Sequence, residues 1–280
     1  REDRRVCLES LSTNTNKKVN RYRFVDEKKE HLHLLDDKPL VGTSTAINVL
    51  SKNLTWWSAE LSAIECLEAG TLIPTIREEY LEAKKEGKPG IDKLQKKYPI
   101  FKKARFAHFE SKNQKAEEGV DLHLELENYC VGCIERNAGL PMETESEHQA
   151  VKIFSEWANG NAKRFIASEA HCYSERLWTG GITDLIFEDK EGRYGVLDFK
   201  SAKEAYQSMF FQCAGYDIAI SENGILDKDG NLIMKLEKPI EFYAIFPFGM
   251  EKPEPQFNFD VEECKKAFEL VVALHKIINK

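Results

Sequence analysis

The clearest alternation of hydrophobic and polar positions lies in residues 180–216. Two short apolar runs flank the charged turn DKEGR, and this arrangement predicts a β-hairpin. The first run carries Asp184, and the second run, YGVLDFK, ends at Lys200. A stretch with helical spacing follows and presents Gln212 and Tyr216, which are four residues apart and therefore share a helix face.

Alternation within the second run separates its polar residues from its apolar residues. Asp198 and Lys200 are two apart and share one face of the strand, whereas Leu197 and Phe199 share the face that suits a core. Asp184 lies among aliphatic residues, where a carboxylate is costly unless it is paired or binds a metal. Two aspartates and a lysine on adjacent strands thus predict a site for a hard divalent cation beside a positive group.

The flanking sequence predicts further elements around this hairpin. Residues 113–136 form one predicted helix that carries His123 and Glu127 on a shared face. Residues 147–158 form an amphipathic helix, and a strand near residues 165–169 is expected to pair next to the hairpin. A strong strand, IEFYAIFPF, precedes a final helix that starts near Asp260. Strands interspersed with helices predict an α/β fold.

The N-terminal third is polar and is expected to be mainly helical. A short strand is predicted at RYRFV, with a turn at residues 36–38. Trp56 and Trp57 suit base stacking, although tryptophans beside an apolar helix face more often belong to a core. The lysine excess from Lys93 to Lys115 is the best candidate for a phosphate-binding surface, although a charge run is usually a solvated face.

Composition limits the class of protein. The chain has 280 residues, 42% hydrophobic and 31% charged, which is typical of a globular domain. A formal net charge of −7 argues against a generally basic nucleic-acid coat but permits a local basic groove. No apolar run approaches the roughly 20 residues that span a bilayer, so no membrane partner is expected.

The cysteines indicate a reducing compartment. There are seven, an odd number scattered along the chain, which is unlike a disulfide framework. Cys130 and Cys133 form a lone CxxC, which is either half of a zinc or iron–sulfur site or two small residues on a helix. Because no second CxxC occurs, we favour the structural interpretation.

Several motifs in one order resemble the PD-(D/E)XK nuclease superfamily, in its RecB-like exonuclease branch and its phage-type members. GGITDLI resembles the G-x-x-D-L strand of that branch, and LDFKS resembles its (D/E)-x-K strand. Gln212 and Tyr216 match its Q-x-x-x-Y helix motif. Further matches are Gly119 four residues before His123, the acidic Glu169, and the N-terminal run VGTSTAINVLSKNLTWWSAELSA.

The resemblance implies a restriction-endonuclease-like α/β core. In such a core a central mixed β-sheet is flanked by helices, here with a helical N-terminal lobe. We expect a single nuclease domain over residues 1–280, with a mainly helical DNA-contacting lobe at 1–112 and a catalytic core at 113–280. No GxxxxGK[ST] motif occurs, so the chain is expected to act without a helicase motor of its own.

The resemblance also assigns roles to the site residues. Ligands for one or two Mg²⁺ or Mn²⁺ ions would be His123, Asp184, Asp198 and the carbonyl of Phe199. Lys200 would orient or deprotonate the attacking water, and burial is expected to lower its pKa. Gln212 and Tyr216 would border the site, and Glu169 would supply a further acid. No iron–sulfur cluster is expected, because only Cys264 follows the Q-x-x-x-Y helix.

The expected function is that of a metal-dependent DNA exonuclease acting on single strands or duplex ends. Expected partners are DNA and proteins of recombination or replication, in the cytoplasm of a bacterial or phage-infected cell. An endonuclease that recognises a DNA structure or sequence is the first alternative, and the cleavage products distinguish it. A non-catalytic DNA-binding module is the second alternative, which the complete set of Asp184, Asp198 and Lys200 argues against.

Overall fold

A computed structural model of the chain describes residues 20–27, 30–50, 62 and 72–279. Within this part, helices flank a mixed multi-stranded sheet, so the predicted α/β class is confirmed. A smaller three-stranded sheet precedes it in the chain.

The strands are numbered in chain order. The small sheet contains β1 (Tyr22–Glu27), β2 (Glu30–Leu35) and β3 (Lys38–Pro39). The large sheet contains β4 (Val41–Gly42), β5 (Ala162–Ser174), β6 (Thr179–Asp189), β7 (Tyr194–Lys200), β8 (Ile225–Leu226), β9 (Leu232–Met234), β10 (Ile240–Pro247) and β11 (Gln256–Asn258).

The helices are numbered in the same way. They are α1 (Thr43–Ile47), α2 (Leu72–Glu86), α3 (Lys88–Lys97), α4 (Pro99–Asn137), α5 (Gln149–Asn161), α6 (Gln207–Asn223) and α7 (Val261–Ile278). A short 3₁₀ turn, Asn48–Leu50, follows α1. Among the described helices, none combines the length and the apolar character that a membrane crossing requires.

The large sheet has the order β11-β10-β7-β6-β5-β8-β9, with β4 paired to β6. The predicted hairpin is its centre, because β6 and β7 pair antiparallel from Leu185–Leu197 to Glu188–Tyr194. On the far side of β7, β10 runs parallel to it. The sequence-predicted strand near residue 165 is β5, and it pairs with β6 along most of its length.

Two hydrophobic layers cover the two faces of this sheet. Val196 packs with α6 and α7 on one face. Leu197 and Phe199 pack with α4 and α5 on the other face. The alternation predicted for β7 is therefore confirmed, and Asp198 belongs to the α6 face because it is two residues from Val196.

Helix α4 is longer than the sequence predicted. It begins at Pro99 rather than at 113 and ends at Asn137, so it passes without interruption through the boundary expected between lobe and core. Proline is favoured in the first turn of a helix, where its missing N–H is not needed. Ala138, in the left-handed conformation, terminates the helix.

The described part of the N-terminal lobe begins with a sheet and continues with helices. The strand predicted at RYRFV is β1, and the predicted turn follows β2 at Asp36 and Asp37. Lys97 is paired with Glu79 at 2.7 Å and Lys93 with Glu86 at 3.1 Å, so these two lysines join α3 to α2. Trp56, Trp57, and the side chains of Lys102, Lys112 and Lys115 lie outside the described part.

Buried aromatic and imidazole groups attach the small sheet to the large one. Tyr22 Oη lies 2.7 Å from His33 Nδ1 and 3.3 Å from His171 Nδ1 of β5. The Tyr22 ring also stacks on Tyr173, with the ring centroids 5.2 Å apart. Burial, together with smaller effects of the neighbouring His171 and His31, lowers the pKa of His33 to about 4. His33 is therefore neutral inside this contact at neutral pH.

We expect His33 to make the stability of the protein depend on pH. In the unfolded chain its pKa is about 6.5, so between pH 6.5 and 4 the unfolded state binds a proton that the folded state excludes. The contribution is fully present above pH 6.5 and is lost as pH falls towards 4, by up to about 3 kcal/mol. Urea unfolding across this range measures it.

His33→Asn retains an acceptor for Tyr22 but does not titrate, so its unfolding free energy should depend less on pH over the same range. His275→Asn in α7 changes a histidine that is not among the groups acting on His33, so it is the control and should keep the wild-type slope. Equal slopes for the His33 variant and the wild type would contradict the assignment.

Candidate active site

An opening in the large sheet lies at the end of the β6–β7 hairpin. Along one edge, strand β6 has two different partners. It pairs with β4 at Thr179 and Gly180, and with β7 from Leu185 onward. Asp184 lies in the interval between these pairings. The β6–β7 register places it across from Asp198, one step beyond the last paired residues. The two sequence-predicted aspartates are therefore brought together where the strands separate.

The Asp184 side chain is held by two donors. Its Oδ2 accepts the backbone N–H of Phe199 at 2.6 Å and lies 3.1 Å from His123 Nε2. Ser168 of β5 donates its hydroxyl to the backbone carbonyl of Asp184 at 2.8 Å, which fixes the strand itself. The side chain of Asp184 is 11% exposed, so these bonds replace water.

Asp198 is more deeply buried, and its negative charge is balanced by Lys200. Its side chain is 1% exposed, and Lys200 Nζ lies 2.5 Å from its Oδ2. Apart from this ion pair, Oδ2 accepts no hydrogen bond from the described residues. Burial raises the pKa of Asp198 to about 6, although the charge of Lys200 opposes that shift.

The pKa of Lys200 is raised, because its contacts within the protein outweigh the effect of burial that the sequence predicts. Burial alone lowers the pKa, as predicted, but the charges of Asp198 and Asp184 outweigh it. The sequence indicates that burial lowers the pKa of Lys200, but it does not indicate how close the carboxylates of Asp198 and Asp184 lie to it. Lys200 is thus a cation in this arrangement rather than a base.

His123 reaches the site from the middle of α4, as the predicted helix face required. Burial lowers the pKa of His123, but the hydrogen bond to Asp184 and the negative charges around it raise the pKa to about 9. Those charges belong to Asp184, Glu169 and Asp198. The imidazole is therefore protonated at neutral pH and acts as a donor to Asp184.

Glu169 lies beside the same cluster. Its neighbours Ser168 and Ala170 pair with Leu185 and Thr183, so the register places Glu169 across from Asp184. Its backbone has φ of 50°, in the left-handed region that non-glycine residues seldom adopt. Backbone strain of this kind concentrates at functional sites. Glu127, which shares the helix face of His123, is half-buried.

Gln212 and Tyr216 of α6 form a buried pair beneath the site. Gln212 Nε2 donates to Tyr216 Oη at 2.6 Å. Burial raises the pKa of Tyr216 well above its usual value, and the charges of Asp198 and Asp184 raise it further. Tyr216 is thus near both carboxylates and is also part of the core, so its alternative role at the border of the site stays a prediction.

The residues present suit a hard divalent cation, although they do not form a preassembled ligand cluster. No group of three or more His, Cys, Asp or Glu side chains in the described ranges has metal-binding geometry. The donor chemistry nevertheless fits, because Oδ2 of Asp198 is a buried anionic oxygen that accepts no hydrogen bond from that part of the chain. Asp184 and His123 would have to exchange their mutual bond for a metal, with release of the imidazole proton.

Three other features of the site were not anticipated from the sequence. The Phe199 amide holds Asp184, whereas the sequence argument considered only the Phe199 carbonyl as a ligand. The Ser168 hydroxyl fixes β6. Tyr216 packs on Gly181, where an added Cβ would lie 2.6 Å from the ring. Of these three features, only the contact between Tyr216 and Gly181 was indicated by the sequence, because glycines within a strand often mark the close approach of another group.

Gly181→Ala should destabilise the protein because Tyr216 and Thr43 occupy the space around Gly181. Overpacking of this kind costs about 1–3 kcal/mol, and urea unfolding measures it. Gly160→Ala is the matched control, because no atom lies within 4 Å of its added Cβ, and alanine is favoured over glycine in a helix. Equal stabilities of the two variants would refute the packing of Tyr216 on Gly181.

Sequence comparisons do not add an assignment to this geometry. No protein-family model matches the chain, and a search of curated proteins found no significant match. The interpretation of the site therefore depends on its own contacts and charges.

Proposed function

We propose that the protein is a metal-dependent deoxyribonuclease of the PD-(D/E)XK type, acting as an exonuclease on single strands or duplex ends. The observation that supports this most directly is the meeting of four groups at the opening of the sheet. Asp184 and Asp198 face each other there, Lys200 contacts Asp198, and His123 contacts Asp184. This set suits hydrolysis of a phosphodiester.

Asp184, Asp198 and His123 would hold Mg²⁺ or Mn²⁺, with the Phe199 carbonyl as a further oxygen ligand. A bound divalent ion supplies an activated water at neutral pH and neutralises charge that develops on the phosphate. Imidazole and carboxylate ligands together suit manganese as well as magnesium. One or two ions are compatible with this proposal.

Lys200 would stabilise the phosphate as its negative charge increases. Its side chain is 27% exposed, and its contact with Asp198 would hold it in place as a substrate approaches. A cation aimed at developing charge in a poorly solvated site stabilises the transition state strongly. Because its pKa is raised, its role is to bind and orient through N–H donation.

His123 and the α6 pair would organise the remainder of the site. Protonated His123 keeps the Asp184 carboxylate in place before a cation binds. Gln212 and Tyr216 support the floor under Asp198, and Glu169 adds negative charge at the edge. The same proposal includes a restriction-endonuclease-like core and an N-terminal lobe that contacts DNA. It also includes recombination or replication proteins as partners, and a cytoplasmic setting.

Lys200→Ala and Asp198→Ala should each reduce DNA cleavage in Mg²⁺ by at least about 10²-fold, the scale on which charge stabilisation contributes to catalysis. Initial rates on labelled DNA measure the loss, and circular dichroism checks the fold. Lys203→Ala removes an exposed lysine three residues away and should retain the wild-type rate. Full activity in either site variant would exclude the assignment.

The mode of cleavage is tested with end-labelled linear DNA and covalently closed circular DNA, each with Mg²⁺ and with EDTA. An exonuclease should release mononucleotides and short oligomers from the linear substrate, leave the circle intact, and be inactive in EDTA. Linearised circles would instead support the endonuclease. Activity that persists in EDTA would contradict metal dependence.

A further inference from the structure

Asp217 is a buried carboxylate next in sequence to Tyr216, and it has no part in the site described above. It is completely buried. Its Oδ2 accepts the hydroxyl of Tyr243 at 2.8 Å and lies 2.9 Å from Lys265 Nζ. Its Oδ1 accepts the hydroxyl of Ser221 at 3.0 Å. Both oxygens of the carboxylate therefore have partners within the protein.

These contacts join three elements of the fold. Asp217 and Ser221 belong to α6, Tyr243 to β10 and Lys265 to α7. The helix is thereby fixed both in rotation about its axis and in position along the sheet. A buried ion pair contributes little net stability, because desolvation offsets the attraction. Its directional contacts are better suited to specifying geometry than to stabilising the fold.

The geometry specified in this way includes the floor of the candidate site. Tyr243 pairs with Val196 of β7, two residues before Asp198. On the helix, Tyr216 adjoins Asp217 and contacts Gly181, while its hydroxyl binds Gln212. A rotation of α6 would therefore move Tyr216 away from the carboxylates of β6 and β7.

We propose that Asp217 is a positioning residue that, through Tyr243 and Lys265, holds Tyr216 and Gln212 beneath Asp198. This inference rests on the proposed nuclease function, since it assigns the network a part in that reaction. Asp217 would act through Tyr216 and Gln212 and not by contacting substrate or metal itself. Its effect is on the turnover of bound substrate rather than on substrate binding.

Asp217→Asn keeps the shape of the side chain but removes its charge, and Tyr243→Phe is a milder variant that removes one hydroxyl. Below the unfolding transition, each should lower kcat at least tenfold while KM changes less than twofold. The matched control is Asp189→Asn. Asp189 is also a buried aspartate in an ion pair, with Arg193, but it lies at the far end of β6. The variant should retain kcat whatever it does to stability.

Wild-type kcat in folded Asp217→Asn and Tyr243→Phe would overturn the proposal. An equal loss of kcat in Asp189→Asn would also overturn it, because the effect would then follow from neutralising any buried aspartate.

A readout that does not require cleavage separates this inference from the proposed function. With 3-fluorotyrosine introduced only at position 216, the ¹⁹F spectrum reports the surroundings of that ring. One sharp resonance is expected in the otherwise wild-type protein and in Asp189→Asn, and a shifted or divided resonance in Asp217→Asn. An unchanged resonance in Asp217→Asn would refute the positioning role. If the wild type cleaves no DNA while the resonance shifts, the nuclease assignment fails and the positioning of Tyr216 stands.

Discussion

The architecture around the site depends on keeping two carboxylates charged where water has little access. An unpaired buried anion is expensive, and it either finds donors or takes up a proton. Asp184 is satisfied by the Phe199 amide and His123, whereas among the described residues Asp198 is balanced mainly by the charge of Lys200. The two acids therefore differ in their partners although they face each other across the strands.

Local periodicity was sufficient to predict the centre of the fold. A strand has a two-residue period, so the sequence YGVLDFK fixes which side chains share a face, and Leu197 and Phe199 are buried opposite Asp198 as expected. The same reasoning on a helix placed His123 on a face that reaches Asp184. These inferences succeed because each depends on backbone geometry within one element, which the sequence determines directly.

Properties that depend on distances between elements were not accessible in this way. The raised pKa of Lys200 comes from Asp184 and Asp198 acting together, and only the folded sheet brings both close. The early start of α4 at Pro99 reflects helix continuity through a charged stretch whose apolar pattern is weak. The Asp217 network was missed because Tyr243 and Lys265 lie 26 and 48 positions away in sequence.

The backbone at Glu169 carries a consequence for substitution at that position. A left-handed conformation costs an ordinary residue roughly 1–2 kcal/mol relative to the right-handed form, and glycine would remove that penalty. The chain nevertheless has a glutamate there, across from Asp184. The carboxylate of Glu169 therefore lies beside Asp184 at a cost in backbone energy that glycine would avoid. Replacing Glu169 with glycine would exchange that carboxylate for a relaxed backbone, so local stability and local charge oppose each other at this position.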